Sequence, residues 1–520
     1  MHRSTISWTA VLASALVGCA SAPPAPQQAP PPAERVESST PPEVAQEYAR
    51  AWVQTTRLIR ARNFGEAYPR LSDLMSSSMF EQLPSEERHT WVSAAAALAR
   101  EGEDFKHAQP LFVIASELPE AGFPDWDGRY DAAVRLQDSE DAVRSITTIA
   151  RRWPESLGGY DNVHIRRLAL GAGDAKAGDD SRMQLLEALY TANWKIDYGV
   201  EPSALWSELV RLLMEQGNLQ RATEVSRRIT EPRGILALRV DNRFDALVRA
   251  DPARFEMSAA IDRNLTEWQA LAQRYPAKLA ATCELADRYL DFGRSEESLS
   301  LMNEVIERVA QGKPSASVYE DLNEKRNWIY DTRARALMQL GRWSEAERES
   351  RQAAALLEEG HPNVSNAINL AFFYVGFGRS SEALKALGPR LVKGSDVSSY
   401  GAMQVRFVLH AAALARKDAR AARESLDYMR EHQSDAVKTY EESLLVAGNL
   451  NEAAGLLTRR LKDPALRAEA LADVQEYREP ALSPLDRKIR EGWRSLRERS
   501  DVRAAVAEVG RIEQFPLPPP

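Results

Sequence analysis

The chain has 520 residues, 44% of them hydrophobic and 27% charged, with a formal net charge of −8. That is ample apolar material for a large packed core, and the acidic balance argues against a nucleic-acid partner. Cys19 and Cys283 are the only thiols.

Met1-His2-Arg3 is a short basic start, and Ile6–Gly18 is an apolar run of 13 residues. Such a run is too short for a permanent membrane span and has the form of a secretory signal. It ends in Leu16-Val17-Gly18-Cys19, which resembles the lipobox of bacterial lipoproteins. The resemblance implies cleavage of residues 1–18, diacylation of the Cys19 thiol, and usually acylation of its new amine. With Cys19 lipidated, no pair is left for a disulfide and stability must come from packing. Two or three acyl chains hold a protein firmly on a membrane, where one holds it only marginally. Ala20 and Ser21 after the cysteine resemble lipoproteins exported to the outer membrane. The alternative is an ordinary cysteine in a leader. Without residues 1–18, whose only charge is Arg3, the net charge becomes −9. Residues 19–42 carry eight prolines between Ala20 and Pro42 and cannot build a core. They predict an extended tether reaching up to roughly 70 Å.

Thr40-Pro41-Pro42-Glu43 has capping-box spacing with proline in the first turn, so helix is expected at once. Residues 43–154 read as three helical pairs turning at Arg62–Ala67, near Glu103 and at Gln137–Ala142. Ala142, Ile146 and Ile149 share one helix face, and Pro154 stops that helix. Residues 155–261 are less regular. Gly171–Asp180 is a loop whose Asp174, Asp179 and Asp180 lack calcium-loop spacing, and Tyr190–Pro202 breaks the pattern. A regular unit returns at Trp206, followed by a divergent insert, Glu231–Ile261, in which the charges of Arg239–Leu247 have no evident task. Residues 262–461 carry further repeats, 462–510 read as capping helices, and 511–520 as a proline tail, FPLPPP. Across 486–503 seven basic residues face four acidic ones. Either this is a solenoid cap seated through Ile489, Trp493 and Leu496, or it contacts anionic lipid or glycan.

The recurring element is a six-residue turn: GNLQRA (217–222), GRSEES (293–298), GRWSEA (341–346), GRSSEA (378–383) and GNLNEA (448–453). RNFGEA (62–67), QDSEDA (137–142) and KDARAA (417–422) are weaker copies. Long gaps between them are about two periods of roughly 38 residues. Glycine permits a left-handed backbone at a helix end, and alanine five residues on lets the next helix approach closely. In one unit Trp206, Leu209, Leu213, Gly217, Leu219 and Ala222 resemble the tetratricopeptide repeat. In the next two the residues that do so are Leu337, Gly341, Trp343, Ala346 and Ala353, then Leu370, Ala371, Tyr374, Gly378 and Ala383. The resemblance implies an all-α, right-handed solenoid whose first helices line a concave groove holding a peptide or partner helix. Carried onto matching positions, it puts Trp328, Asp331, Arg335, Met338, Ile368, Phe372, Val375, Phe407 and Leu414 on that groove. The alternative for these side chains is packing between neighbouring repeats.

Sequence patterns for catalysis are missing. There is no HExxH, no GxxxxGK[ST] and no GxSxG. Cys283 reads as a small core residue or, alternatively, a catalytic thiol, and His410 as a packed histidine or a functional one. No metal or small-molecule cofactor is expected. The expectation is a non-catalytic scaffold lipoprotein, anchored in the outer membrane and facing the periplasm, that binds an envelope protein or peptide segment. The competing class is an enzyme, or an enzyme's regulatory subunit, with its site in 155–261.

Overall fold

The computed structural model describes residues 42–171, 177–311, 318–358, 360–394 and 397–520. Cys19, the tether and Asp174 lie outside them. The chain divides into two compact units, one holding the described residues up to Asp104 with Leu118–Glu120, the other Phe105–Glu117 with Ala121–Pro520.

In the first unit, helices Pro42–Arg60 and Phe64–Ser76 reverse at Arg62, and helices Ser78–Gln82 and Ser85–Glu101 follow. Its core is aromatic. Trp52 is fully buried, stacked on Trp91 at 5.7 Å and 5.9 Å from Phe80.

The second unit is an all-α repeat solenoid. Six of its helical pairs share one turn geometry: Phe123–Arg135 with Ser139–Arg152, Ser203–Glu215 with Leu219–Ser226, Leu279–Asp291 with Ser295–Gln311, Leu322–Gln339 with Trp343–Ala355, Val364–Gly376 with Ser380–Val392, and Ser399–Ala415 with Ala419–Glu431. A seventh, Val437–Ala447 with Leu450–Lys462, turns at Gly448. At Gly341, φ is +74°, the N–H of Arg342 donates to the Leu337 carbonyl at 2.9 Å, and that of Gly341 to Met338 at 3.0 Å. These two bonds satisfy carbonyls that the helix end leaves open. Lys417 does the same without glycine: φ is +60°, and Asp418 donates to Ala413 at 2.9 Å. Five residues after the turn stand Ala142, Ala222, Ser298, Ala346, Ala383, Ala422 and Ala453, none more than 4% exposed. A larger side chain there would hold the paired helices apart.

The Tyr190–Pro202 stretch contains the same helix end. Asn193 is left-handed, φ +52°, and Trp194 donates to Leu189 at 2.9 Å. What fails is the sequel, because a short 3-10 turn, Asp197–Gly199, replaces the second helix. Asparagine tolerates this backbone better than most residues, which is why no glycine marks the position.

The C-terminal segment does more than cap the last pair. Helix Arg467–Asp473 packs on helix Pro232–Val240, far back in the chain. Glu476–Tyr477 and Gln514–Phe515 form a two-stranded parallel ladder, and helices Pro484–Glu498 and Ser500–Val509 supply the crossover that parallel pairing requires. Past the second of these, Arg511 donates its N–H to the Val240 carbonyl at 3.0 Å, and Asp241 bridges to Gly510. Arg239 pairs with Glu513 at 2.7 Å, and Asp245 with Arg511. Arg239 and Asp245 therefore clamp the C-terminal segment, while the Asp241 carboxylate pairs with Arg243. The tail is built in, with Phe515 3% and Leu517 0% exposed. Among the described residues no helix is long and apolar enough to cross a membrane.

Candidate functional site

Counted back from each turn residue, the expected groove side chains fall ten, six and three positions earlier on successive first helices. In the pair turning at Gly341 these are Asp331, Arg335 and Met338, with Trp328 thirteen positions before the turn; at Gly378, Ile368, Phe372 and Val375; at Lys417, Phe407 and Leu414, with Ala411 at the unassigned middle position. The same column continues through Cys283, Asp287 and Leu290 before Gly293, and through Lys438, Glu442 and Leu445 before Gly448.

The structure divides this column by depth. Asp331, Ile368, Val375 and Phe407 are buried, while Trp328, Arg335, Met338, Phe372 and Leu414 are half-buried. Asp331 accepts from Asn366 at 2.8 Å and Asn369 at 2.9 Å through one oxygen, and from Arg335 at 3.0 Å through the other. Arg335 also reaches Asp287, which accepts from Thr332 at 3.1 Å. Burial raises the Asp287 carboxyl above its ordinary range, while Arg335 pulls it down. This polar chain stitches three consecutive first helices together. Phe407 stacks on Phe372, centroids 5.1 Å apart, and joins the next two. At position ten, Asp331 and Phe407 reach the neighbouring first helix, and Ile368 is buried.

Toward the helix ends the column meets the chain's own C-terminal segment. The N–H of Ala481 donates to the Gln339 carbonyl at 3.1 Å, and a Cβ on Gly376 would sit 3.0 Å from the Ser483 hydroxyl. Gly492 presses against Leu445, at 3.0 Å for the same added atom. Lys438 donates to the Pro520 carbonyl at 2.7 Å and pairs with Asp473 at 3.1 Å. Nothing in the sequence signals these contacts, because the partners are distant in the chain. The column signal at Lys438 and Glu442 was nonetheless available from the repeat register.

Cys283 and His410 are interior. Burial pushes the Cys283 thiol well up, the opposite of what a thiolate nucleophile needs. His410 is 2% exposed and its Nδ1 bonds the Ala422 carbonyl at 2.9 Å, tying the paired helices where the small residue stands; burial lowers its pKa. Asp179 pairs with Arg182 at 2.8 Å, and no cluster of His, Cys, Asp and Glu suited to a metal occurs among the described residues. Ile489, Trp493 and Leu496 are all buried against the last repeats.

No family model matches the chain, and no curated protein does. Solved structures give distant helical likenesses. A tetratricopeptide repeat protein from Parabacteroides merdae is 12% identical, with 63% of this chain and 99% of that one covered and a TM-score of 0.25. A Rap protein complexed with competence and sporulation factor is 12% identical over 86% and 99%, TM-score 0.27. Yeast Tom70 is 14% identical over 82% and 99%, TM-score 0.28. Scores this low carry no argument about this chain.

Proposed function

We propose that this protein is a non-catalytic scaffold, lipid-anchored through Cys19 in the bacterial outer membrane and facing the periplasm, that binds an envelope protein or peptide during assembly or secretion. The anchor reading rests on Leu16–Cys19 directly after the apolar run, followed by a tether long enough to hold a domain clear of headgroups. The observation that carries the binding reading is the half-buried row Trp328, Arg335, Met338, Phe372 and Leu414. It is a mixed aromatic and aliphatic surface with one arginine ion-paired to Asp287 and Asp331, over residues packed beneath it. Side chains of this kind on a fixed frame supply most of the energy of protein recognition.

The test is crosslinked pull-down from envelope membranes, comparing the native chain with Trp328→Ala/Phe372→Ala. Circular dichroism establishes that the variant is folded. Loss of specific partners is expected; an unchanged partner set from a folded variant refutes the surface. Separately, Cys19→Ala should move the protein to the soluble fraction, and persistence in the membrane pellet refutes the anchor.

A further inference from the structure

Between the Glu476–Tyr477 strand, helix Pro484–Glu498 and the tail lies a cavity of about 710 Å³. Four arginines line it, with three glutamates, Glu476, Glu479 and Glu498. Arg490, Arg494 and Arg497 are spaced by four and three residues on one helix face, and Arg503 comes from the next helix. Their partners are few. Arg494 reaches Glu479 at 3.4 Å, and Arg497 only the Gln475 carbonyl, also at 3.4 Å. Arg490 and Arg503 have neither an ion pair nor a side-chain hydrogen bond among the described residues, although Arg490 is half-buried. Glu442 feels Arg490 electrostatically without contacting it.

Arginines buried elsewhere in the described residues have carboxylate partners, as do several half-buried ones. Arg129 closes on Asp141, Arg182 on Glu208, Arg221 on Glu187, Arg333 on Glu349, and Arg460 on Glu441 and Asp473. Here burial holds Arg497 below its ordinary range; Glu476 opposes this, while Arg494 and Arg490 add to it. Adjacent guanidinium groups lacking a full set of carboxylates form a site whose missing component is negative charge. The guanidinium fork matches carboxylate and phosphate oxygens two at a time. The volume is that of a small-molecule site, and Tyr477, Ile512 and Pro519 provide an apolar wall for a carbon skeleton.

We propose that this cavity binds a small polyanion carrying at least two carboxylate or phosphate groups, held by Arg490 and Arg503 with Arg494 and Arg497 completing the shell. Because the walls come from three separate stretches of chain, such a ligand also ties the tail to helix Pro484–Glu498.

The test is titration calorimetry at low salt on the full chain in detergent, with citrate and tripolyphosphate as probes. One saturable site is expected for at least one probe; which of them binds separates a carboxylate source from a phosphate source. Arg490→Gln/Arg503→Gln should weaken binding at least about tenfold, as loss of charge-assisted hydrogen bonds requires. The same double variant should stay folded, as circular dichroism reads it, since neither side chain forms an ion pair or side-chain hydrogen bond among the described residues. Glu479→Gln, which frees Arg494, should tighten binding. Arg487→Gln, exposed and outside the cavity, should change nothing, and bound probe should slow amide exchange across 511–517. Absence of saturable binding by both probes overturns the proposal, as does binding that the double variant leaves intact.

Discussion

Replacing Gly510 with alanine tests how the C-terminal segment closes on the solenoid. The added Cβ would stand 2.2 Å from the Val240 carbonyl oxygen and 2.9 Å from Leu471. The first obstacle is backbone and cannot swing aside. Overpacking of a filled site costs about 1–3 kcal/mol and a lost main-chain hydrogen bond, here Arg511 to Val240, about 1 kcal/mol, so about 2–4 kcal/mol in all. Against this, the tail is held by burial of Phe515 and Leu517, about 1.5–3 kcal/mol each. The part-exposed Arg239–Glu513 and Arg511–Asp245 pairs add about 0–1 kcal/mol each. The clash is similar in size to what these contacts contribute, so the strain should be relieved by releasing the tail while the repeats stay folded. Hydrogen exchange followed by mass spectrometry should show Gly510→Ala accelerating exchange across 511–517, with repeats 364–431 unchanged. An alanine variant with native exchange in 511–517 and a native urea midpoint would show that the Val240–Gly510 approach is not tight, and the reasoning would fail.

Two further outcomes follow from the turns and the interior. Lys417 holds φ at +60°, a conformation that costs a side-chain-bearing residue about 1 kcal/mol, so Lys417→Gly should raise the urea midpoint. A midpoint at or below native would mean the lysine makes a compensating contact. Glu441 is fully buried against Arg460, its Oε1 has no hydrogen-bond partner, and burial pushes its pKa up to about 8 against the opposing pull of Arg460. A carboxyl raised above its unfolded value of 4.5 favours the folded state most when protonated. That contribution is fully present below the unfolded value and is lost as pH rises through the folded one. Urea midpoints should therefore fall between about pH 5 and pH 8, and Glu441→Gln should flatten the slope; a native profile already flat over that window refutes the assignment.

Legibility from sequence tracked locality. The ladder of turns could be read because its physics is contained in six residues: a left-handed position, then a small one five places on. Gln137 and Lys417 were recognisable only through their alanines, and Asn193 went unread because no alanine-bearing second helix follows it. Depth within the first helices was less accessible. Asp331 and Arg335 lie four residues apart, and only the neighbouring Asn366 and Asn369 decide that the aspartate turns inward. The C-terminal closure could not be read at all. Arg239, Asp241 and Asp245 carry no local pattern pointing to Glu513, Gly510 and Arg511, and FPLPPP has the composition of a free tail although Phe515 and Leu517 are buried.

A stack of repeats with contacts only between neighbours melts from its ends, each terminal unit fraying almost independently. Arg239 and Glu513 are 274 positions apart in sequence, and their pairing makes the intervening stack a closed circuit. Joining so long a flexible stretch carries an entropic cost of roughly 5 kcal/mol, so the circuit should form late, after the repeats have ordered and shortened the span. Once formed, it leaves no C-terminal end from which to unzip. Opening then requires breaking the clasp first, so residues 232–520 should behave as one kinetic unit with slow unfolding, unlike an open array of the same repeats.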